Sequence, residues 1–266
     1  MRIPDLTRLE PKDLQKRILA TYLEVRVGIA IIGIALPLVL SIGGWLRAHL
    51  CLQDSMSAYY HASLNDKSMR DWFVGSLFVI GVFLYLYKGF SELENWLLNV
   101  GGILCVGVAL FPMEWSACHL RNCDGTAGFP GCLAPANPAR HAFSLHGFCA
   151  ITFFLCLALV CWFCAGDTLP LVKRDKTRRW LKGLYRVIAI AMIVSMAGAY
   201  ILNTVLQNPA RTFFVEAFGV WSFGAYWAIK SWELSHTAAD EKALAGRLKN
   251  DRGRVVDLTE AAPASR

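Results

Sequence analysis

The stretch Val27–Leu46, VGIAIIGIALPLVLSIGGWL, contains 20 consecutive residues without a charge. A helix of this length rises about 30 Å, which matches the hydrocarbon core of a bilayer. Lipid cannot hydrogen-bond to an open backbone, so a helix is the expected form of such a segment. The stretch therefore predicts a transmembrane helix and indicates the fold class of the whole chain.

Five further apolar runs follow along the 266 residues, of which 55% are hydrophobic. These runs are Trp72–Tyr87, Asn95–Met113, Ala142–Gly166, Val187–Val205 and Thr212–Ile229. The second span is short, but Asp71 and Lys88 at its ends can extend their side chains to the interface. We expect an all-α polytopic integral membrane bundle of six transmembrane helices. It forms one domain, residues 27–232, without a separate soluble domain.

Positive charge is distributed unevenly between the two sides of this bundle. With a cytoplasmic N-terminus, 21 Lys and Arg residues fall in the inner segments 1–26, 88–94, 167–186 and 230–266, and six fall in the outer loops. Cytoplasmic loops are enriched in positive charge, so both termini are predicted to be cytoplasmic in a multi-pass protein of the cell inner membrane. The net charge of +7 reflects this topology and attraction to anionic lipid, and no nucleic-acid binding is expected.

The two ends of the chain differ from the apolar runs. Residues 1–26 are predicted to be a cytoplasmic amphipathic segment, because apolar residues recur there at helical spacing. The run that follows is too long for a secretory signal peptide. Residues 233–266 are predicted to be a cytoplasmic polar tail, a short solvated helix followed by partial disorder.

The nine cysteines divide by environment. Five lie in spans three and four, where thiols usually serve packing; this includes the C-x-x-C pair Cys161 and Cys164. Four are predicted to face the outside, namely Cys51, Cys118, Cys123 and Cys132. An oxidising exterior favours disulfides there, and four cysteines allow three complete pairings. A zinc site formed by the last three with His119 is the less favoured alternative, because its spacing fits no standard knuckle.

Polar residues that interrupt the apolar runs concentrate at the predicted outer ends of the spans. Charged groups at membrane depth usually face a bundle interior, a cavity or a partner. Glu216 is the most informative of them, because its neighbours in sequence are Phe, Val and Ala. The candidate ligand-binding residues are Glu216, His146, Asp71, Arg70, Glu114, His61, Tyr60 and Asn203.

Several interpretations of these residues stay open from sequence alone. Asp71 can act as a helix N-terminal charge, and Glu216 can pair with Arg70 or His146. Histidines and carboxylates together can hold a divalent metal that activates water, although no H-E-x-x-H pattern exists. A polar pocket can instead receive a lipid headgroup. An ion pathway is disfavoured, because few polar residues continue inward from Glu216.

The order of these motifs resembles a bacterial family of uncharacterised six-span membrane proteins. The resemblance covers residues 27–232 and rests on Ser55–His61 before span two, Arg70–Asp71 at its entry, Phe111–Pro112 closing span three, His146 opening span four, and Glu216. More distantly, the pattern is similar to FGF-receptor-activating/DRAM-type membrane proteins, which implies the bundle and a role in lipid organisation. Alkaline ceramidases and adiponectin-receptor hydrolases are also similar. They have seven spans and a histidine pair at i, i+4, which this chain lacks.

The sequence thus predicts a protein that binds or organises a lipid or amphiphile through an outward polar pocket. A metal-dependent or acid–base membrane hydrolase is the alternative, followed by a structural or partner-binding protein. Membrane lipids are the expected partners, together with a second copy of the chain or another membrane protein. No cofactor is expected, and a divalent metal enters only under the hydrolase alternative.

Overall fold

The chain is mostly helical in a computed structural model that describes residues 11–62, 69–111, 113, 120–123, 144–202, 211–251 and 254–261. The long helices are α1 (Pro11–Ala48), α2 (Arg70–Leu86), α3 (Glu92–Leu110), α4 (Leu145–Leu159), α5 (Asp175–Tyr200) and α6 (Thr212–Thr237). A π-helical turn, Val160–Cys164, extends α4. Each predicted span therefore has a helix in the structure.

Four of these helices are long and apolar enough to cross a membrane, which is the architecture of a multi-pass membrane protein. They are α1, α3, α4 with its π-helical turn, and α5. Helix α2 has only 17 residues, and α6 carries buried charged residues that lower its hydropathy. Large apolar side chains face outward on the long helices, among them Ile31, Ile103 and Val194, each about 60% exposed. Such a surface suits lipid contact and is unusual for a soluble protein.

The six helices close into a ring. Each packs against its neighbours in sequence, and α6 packs back against α1. Glycines permit two close approaches: a Cβ on Gly102 of α3 would lie 2.5 Å from the carbonyl oxygen of Gly81 on α2. A Cβ on Gly224 of α6 would likewise lie 2.8 Å from Ile34 on α1. Aromatic side chains fill the interior, with Phe223 and Trp227 buried at its centre.

Helix α1 runs from Pro11 to Ala48 without a break, 38 residues in all. At 1.5 Å per residue it is about 57 Å long, so it extends well beyond a single bilayer crossing. The predicted amphipathic segment and the predicted first span are therefore parts of one helix. Leu14, Ile18 and Leu23 are exposed on the part that precedes the span.

A short 3₁₀ helix, Met56–His61, follows α1. It contacts α1, α2 and α6 at one end of the ring. We name it the plug helix and this end of the bundle the plug end. Residues Leu50 and Asn122 form a β-bridge beside it, which joins the segment after α1 to the segment after α3.

The opposite end, the tail end, is covered by the C-terminal part of the chain. This part comprises α7 (Ala239–Leu244), the antiparallel hairpin of β1 (Leu248–Asp251) and β2 (Arg254–Asp257), and α8 (Leu258–Ala261). The sequence was expected to give a short helix and then disorder here. Burial explains the difference: Val255 and Ala239 pack with Leu234 and Leu171 in a small apolar cluster of their own. The amide of Val255 also donates to the carbonyl of Asp167 at 2.9 Å.

Candidate functional site

The plug helix is anchored in the mouth of the ring by its aromatic and backbone groups. Tyr59 is fully buried, packs edge-on against Phe213 of α6, and has a pKa raised to about 12 by burial. It fits against α1 because Gly44 has no side chain: a Cβ there would lie 2.8 Å from Cε1 of Tyr59. The amide of Phe213 donates to the carbonyl of Asp54 at 2.7 Å, which satisfies an N-terminal donor of α6. The segment before the plug helix and the start of α6 are thus held together.

Glu216, the residue that sequence singled out, is bound by the start of the plug helix. The Ser55 hydroxyl lies 2.9 Å from both carboxylate oxygens. The amide of Met56 donates to Oε2 at 2.7 Å. The pairings of Glu216 with Arg70 or His146 considered from sequence are replaced by hydrogen bonds to an uncharged segment. Within the part of the chain that the structure describes, the carboxylate is therefore held by hydrogen bonds rather than by an ion pair.

His146 meets the same plug helix from α4. Its Nε2 lies 2.9 Å from Oγ of Ser57, and its Nδ1 lies 2.8 Å from the carbonyl oxygen of Phe111 at the end of α3. Because a carbonyl can only accept, Nδ1 carries the proton of this bond. In the neutral imidazole Nε2 is then an acceptor, so the Ser57 hydroxyl donates to it. His146 is 7% exposed.

These contacts join into one line across the mouth of the ring. The Ser57 amide donates to Ser55 Oγ at 3.1 Å, which connects the Glu216 side to the His146 side. We name this line the plug-end chain: Glu216, Ser55, Ser57, His146 and the Phe111 carbonyl. It spans α6, the plug helix, α4 and α3. Sequence placed Glu216 and His146 at the same end of the bundle, and the structure shows that two serines bring them into one network.

Three further predicted residues lie beside the plug-end chain. Arg70 donates to the Tyr60 hydroxyl at 2.8 Å, and its guanidinium also lies 4.4 Å from the centroid of the Tyr60 ring. His61 Nε2 lies 3.1 Å from the carbonyl of Met113. Burial lowers the pKa of His61, and the nearby Arg70 charge adds to that shift. The neutral imidazole is therefore the favoured form of His61.

The remaining predicted site residues are Asp71, Glu114 and Asn203. Asp71 lies in the first turn of α2 and is exposed. Glu114 and Asn203 lie outside the described residues. Across the described residues, no three His, Cys, Asp or Glu side chains converge in a way that could hold a metal ion.

A disulfide between Cys51 and Cys123 joins the segment after α1 to the segment after α3 at the plug end. Gln53 reinforces it: its side-chain amide donates to the Arg121 carbonyl and accepts from the Arg121 amide, both at 2.9 Å. Asp54 forms an ion pair with the Arg121 side chain. The zinc alternative would need Cys123 as a free thiolate. Its other proposed ligands are Cys118, His119 and Cys132, which lie outside the described residues. The C-x-x-C pair in the π-helical turn, Cys161 and Cys164, consists of free, buried thiols.

An apolar groove opens between α1 and α2 at the plug end, with a volume of about 340 Å³. Its lining surface is apolar, and the one charged residue along it, Arg47 in the last turn of α1, contributes apolar atoms of its side chain to the wall. Met69, which lies directly before α2, connects the groove to the plug helix through a 2.9 Å hydrogen bond from its amide to the Ala62 carbonyl. The lining residues are Leu38, Val39, Ile42, Gly43, Leu46, Arg47, Met69 and Trp72.

A second polar cluster, at the tail end, was missed by sequence reasoning. Lys230 and Glu233 of α6 are 2% and 1% exposed and form an ion pair. Lys230 also donates to the Ala165 carbonyl at 2.9 Å and to Thr168 Oγ1 at 2.7 Å. Glu233 accepts from Thr168 and from the Tyr185 hydroxyl. Every charge in this cluster is hydrogen-bonded, which is the pattern of a structural centre.

Two other buried charges complete the tail end. Arg26 of α1, 1% exposed, pairs with Asp240 of α7 through a two-pronged contact. Glu94 of α3 accepts from the Phe90 amide at 2.8 Å. In the adjoining loop, burial raises the pKa of Asp167. These residues lie just beyond the predicted span limits, where a charged residue is normally expected to be in contact with water.

Comparison of the chain with protein-family models, with curated proteins and with solved structures finds no match.

Proposed function

We propose that this protein is a six-span inner-membrane protein that binds an amphiphile with an anionic headgroup in the groove between α1 and α2. The groove is the observation that carries the proposal. The polar groups of the plug-end chain bind one another, whereas the groove beside them offers open, apolar space. In this proposal the lipid lies along the surface of the bundle, next to the polar cluster that sequence singled out.

The orientation in this proposal puts the plug end outside and both termini in the cytoplasm. It is supported by the distribution of 21 Lys and Arg residues on one side against six on the other. The disulfide at the plug end agrees with it, because disulfides persist in oxidising compartments. The proposal treats α2 and α6 as membrane spans as well. Helix α2 packs between α1 and α3, and α6 packs between α5 and α1, so both neighbours of each are helices long and apolar enough to cross a membrane.

Site-directed labelling tests the orientation. Lys176 near the start of α5 and Arg211 before α6 are both exposed. In intact cells, a membrane-impermeant maleimide should modify an Arg211→Cys variant and leave Lys176→Cys unmodified until the cells are lysed. Peptide mapping separates the new sites from native cysteines. Labelling of Lys176→Cys in intact cells would reverse the proposed topology.

Charge and shape favour a phospholipid as the occupant of the groove. The aliphatic walls suit an acyl chain, and the exposed Arg47 suits a phosphate at the chain's head. Trp72 and Trp45 are 49% and 59% exposed at the same end, where Trp favours the headgroup region. The positive charge of Arg47 at the groove favours a headgroup with a net negative charge over a zwitterionic one.

Native mass spectrometry with added phosphatidylglycerol or phosphatidylcholine tests this binding. We expect wild-type protein to retain phosphatidylglycerol in preference, and Arg47→Gln to lose that preference. Arg211→Gln is the matched control, because it removes an exposed arginine outside the groove at the same end. An Ile42→Trp variant, which fills the groove, should lose both lipids. Equal retention by wild type, Arg47→Gln and Ile42→Trp would refute the groove as the binding site.

A further inference from the structure

We propose that Ser57 is a nucleophile, activated by His146, that takes the acyl group from a carboxylic ester of an amphiphile. This inference rests on the lipid binding proposed above and adds a reaction to it. It concerns the plug-end chain, where a serine, a histidine and a fixed acceptor follow one another in hydrogen-bonding order.

The first support is the distance and direction of the Ser57–His146 contact. Oγ lies 2.9 Å from Nε2, within the reach required of a nucleophile and its general base. The bond from Nδ1 to the Phe111 carbonyl, 2.8 Å, fixes the tautomer in which Nε2 has a free lone pair. The proton in the Ser57–His146 bond therefore belongs to the serine, and the base is poised to take it.

The second support is the way the Ser57 backbone is held. Its amide donates to Ser55 Oγ, and Ser55 in turn contacts both oxygens of Glu216. The Met56 amide between them is also bound by Glu216. Glu216 is thus a positioning residue, which ties the serine-bearing segment to α6. The Phe111 carbonyl orients the base and sets its tautomer, which is one of the two roles that the carboxylate has in a Ser–His–Asp triad.

The third support is accessibility. His146 is buried, but Ser57 is half-buried at the mouth of the ring. The base is therefore shielded from water, while the residue that carries the nucleophile is partly exposed.

The reaction balances with water as the co-reactant. His146 Nε2 takes the Ser57 proton while Oγ bonds to the ester carbonyl carbon. The carbon–oxygen bond to the alcohol then breaks, and the alcohol leaves with the proton from Nε2. In the second half, water gives a proton to Nε2 and its oxygen bonds to the acyl carbon. The Ser57 oxygen leaves, regains the proton, and a carboxylic acid is released.

A fluorophosphonate probe tests the nucleophile directly, because it phosphonylates an activated serine and releases fluoride. In purified full-length protein we expect one adduct, mapped by peptide mass spectrometry to Ser57. Ser57→Ala should not be labelled, and His146→Ala should react at least 100-fold more slowly. Ser41→Ala is the matched control, because Ser41 is a partly buried serine that bonds only its own helix, and it should label as wild type. The wild-type labelling rate should fall on acidification as the imidazole is protonated.

Wild-type protein without an adduct, or with an adduct on a serine other than Ser57, overturns the inference even if a variant fails to fold. A labelling rate that is unchanged in His146→Ala overturns the role of the base. The lipid test has an independent outcome. Bound phosphatidylglycerol without an adduct refutes only the nucleophile, and an adduct without bound lipid refutes only the groove.

Discussion

Gly44 and Tyr59 are in such close contact that neither an alanine nor a larger residue fits at position 44. A Cβ there would lie 2.8 Å from the tyrosine ring, and the ring is fully buried between α1 and α6. The contact seats the plug helix and therefore sets the position of Ser55 and Ser57. Packing on α1 is thus coupled to the geometry of the plug-end chain.

A Gly44→Ala variant should be less stable because of this contact. Alanine favours a helix over glycine by about 1 kcal/mol, so helix propensity alone would raise stability. The clash should outweigh it, with a net loss of about 1–3 kcal/mol in the free energy of unfolding. Gly75→Ala on α2 is the control, because an added Cβ there meets nothing within 4 Å. Denaturation in detergent measures both, and a Gly44→Ala variant as stable as Gly75→Ala would contradict the packing.

Removal of the Lys230 ammonium should destabilise the tail end strongly. A Lys230→Met variant leaves the buried Glu233 carboxylate without its cation, which costs about 3–5 kcal/mol in the free energy of unfolding. Adding Glu233→Gln should recover part of that loss, since it removes the uncompensated charge. Lys182→Met changes an exposed lysine on α5 and should shift stability by no more than about 0.5 kcal/mol. If Lys230→Met resembles Lys182→Met in detergent unfolding, the ion pair does not hold the tail end.

The stability of the plug end should depend on the disulfide between Cys51 and Cys123. Cys51 and Cys123 are 72 positions apart, so the bond closes a long loop. A Cys51→Ser variant should lose about 2–4 kcal/mol of stability in oxidising buffer. Under reducing conditions wild type and variant should converge. Non-reducing peptide mapping should recover Cys51 linked to Cys123, and a link from Cys51 to Cys118 or Cys132 would contradict this pairing.

Stability should fall on mild acidification because of His61. Burial lowers the pKa of His61 in the folded state, so folding favours the neutral imidazole. Its contribution is complete above the unfolded value of about 6.5 and is lost as the pH falls below it toward the folded pKa. Melting measured at pH 7.5 and 5.5 should show a smaller pH difference for His61→Gln than for wild type. His49→Gln, which changes an exposed histidine on the same connecting segment, is the control variant.

Sequence predicted the six long helices because each apolar run is a continuous stretch for which a helix is the expected form, although the second run is shorter than a typical span. It also predicted that Glu216 and His146 lie at the same end of the bundle, since each falls near the corresponding end of its apolar run. It could not give their partners, because Ser55 and Ser57 lie on a connecting segment whose path depends on Tyr59 packing against Gly44. Charge alone suggested a pairing of Glu216 with Arg70 or His146, but the Ser55 hydroxyl and the Met56 amide bind the carboxylate instead.

The tail-end cluster was missed for a related reason. Lys230, Glu233 and Glu94 fall just outside the predicted span limits, where a charge normally meets water. In the structure Lys230 and Glu233 are buried against Ala165, Thr168 and Tyr185, which come from the connection before α5 and from α5 itself. Hydropathy along a sequence cannot predict such burial, because it depends on contacts between residues far apart in the chain.

The pairing of Arg26 with Asp240 has a consequence for biogenesis. These residues are 214 positions apart, so the ribosome releases Arg26 long before its partner exists. Until α7 is made, this cation lacks the carboxylate that it pairs with in the folded protein. The tail end therefore reaches its final arrangement only after all six long helices have been synthesised.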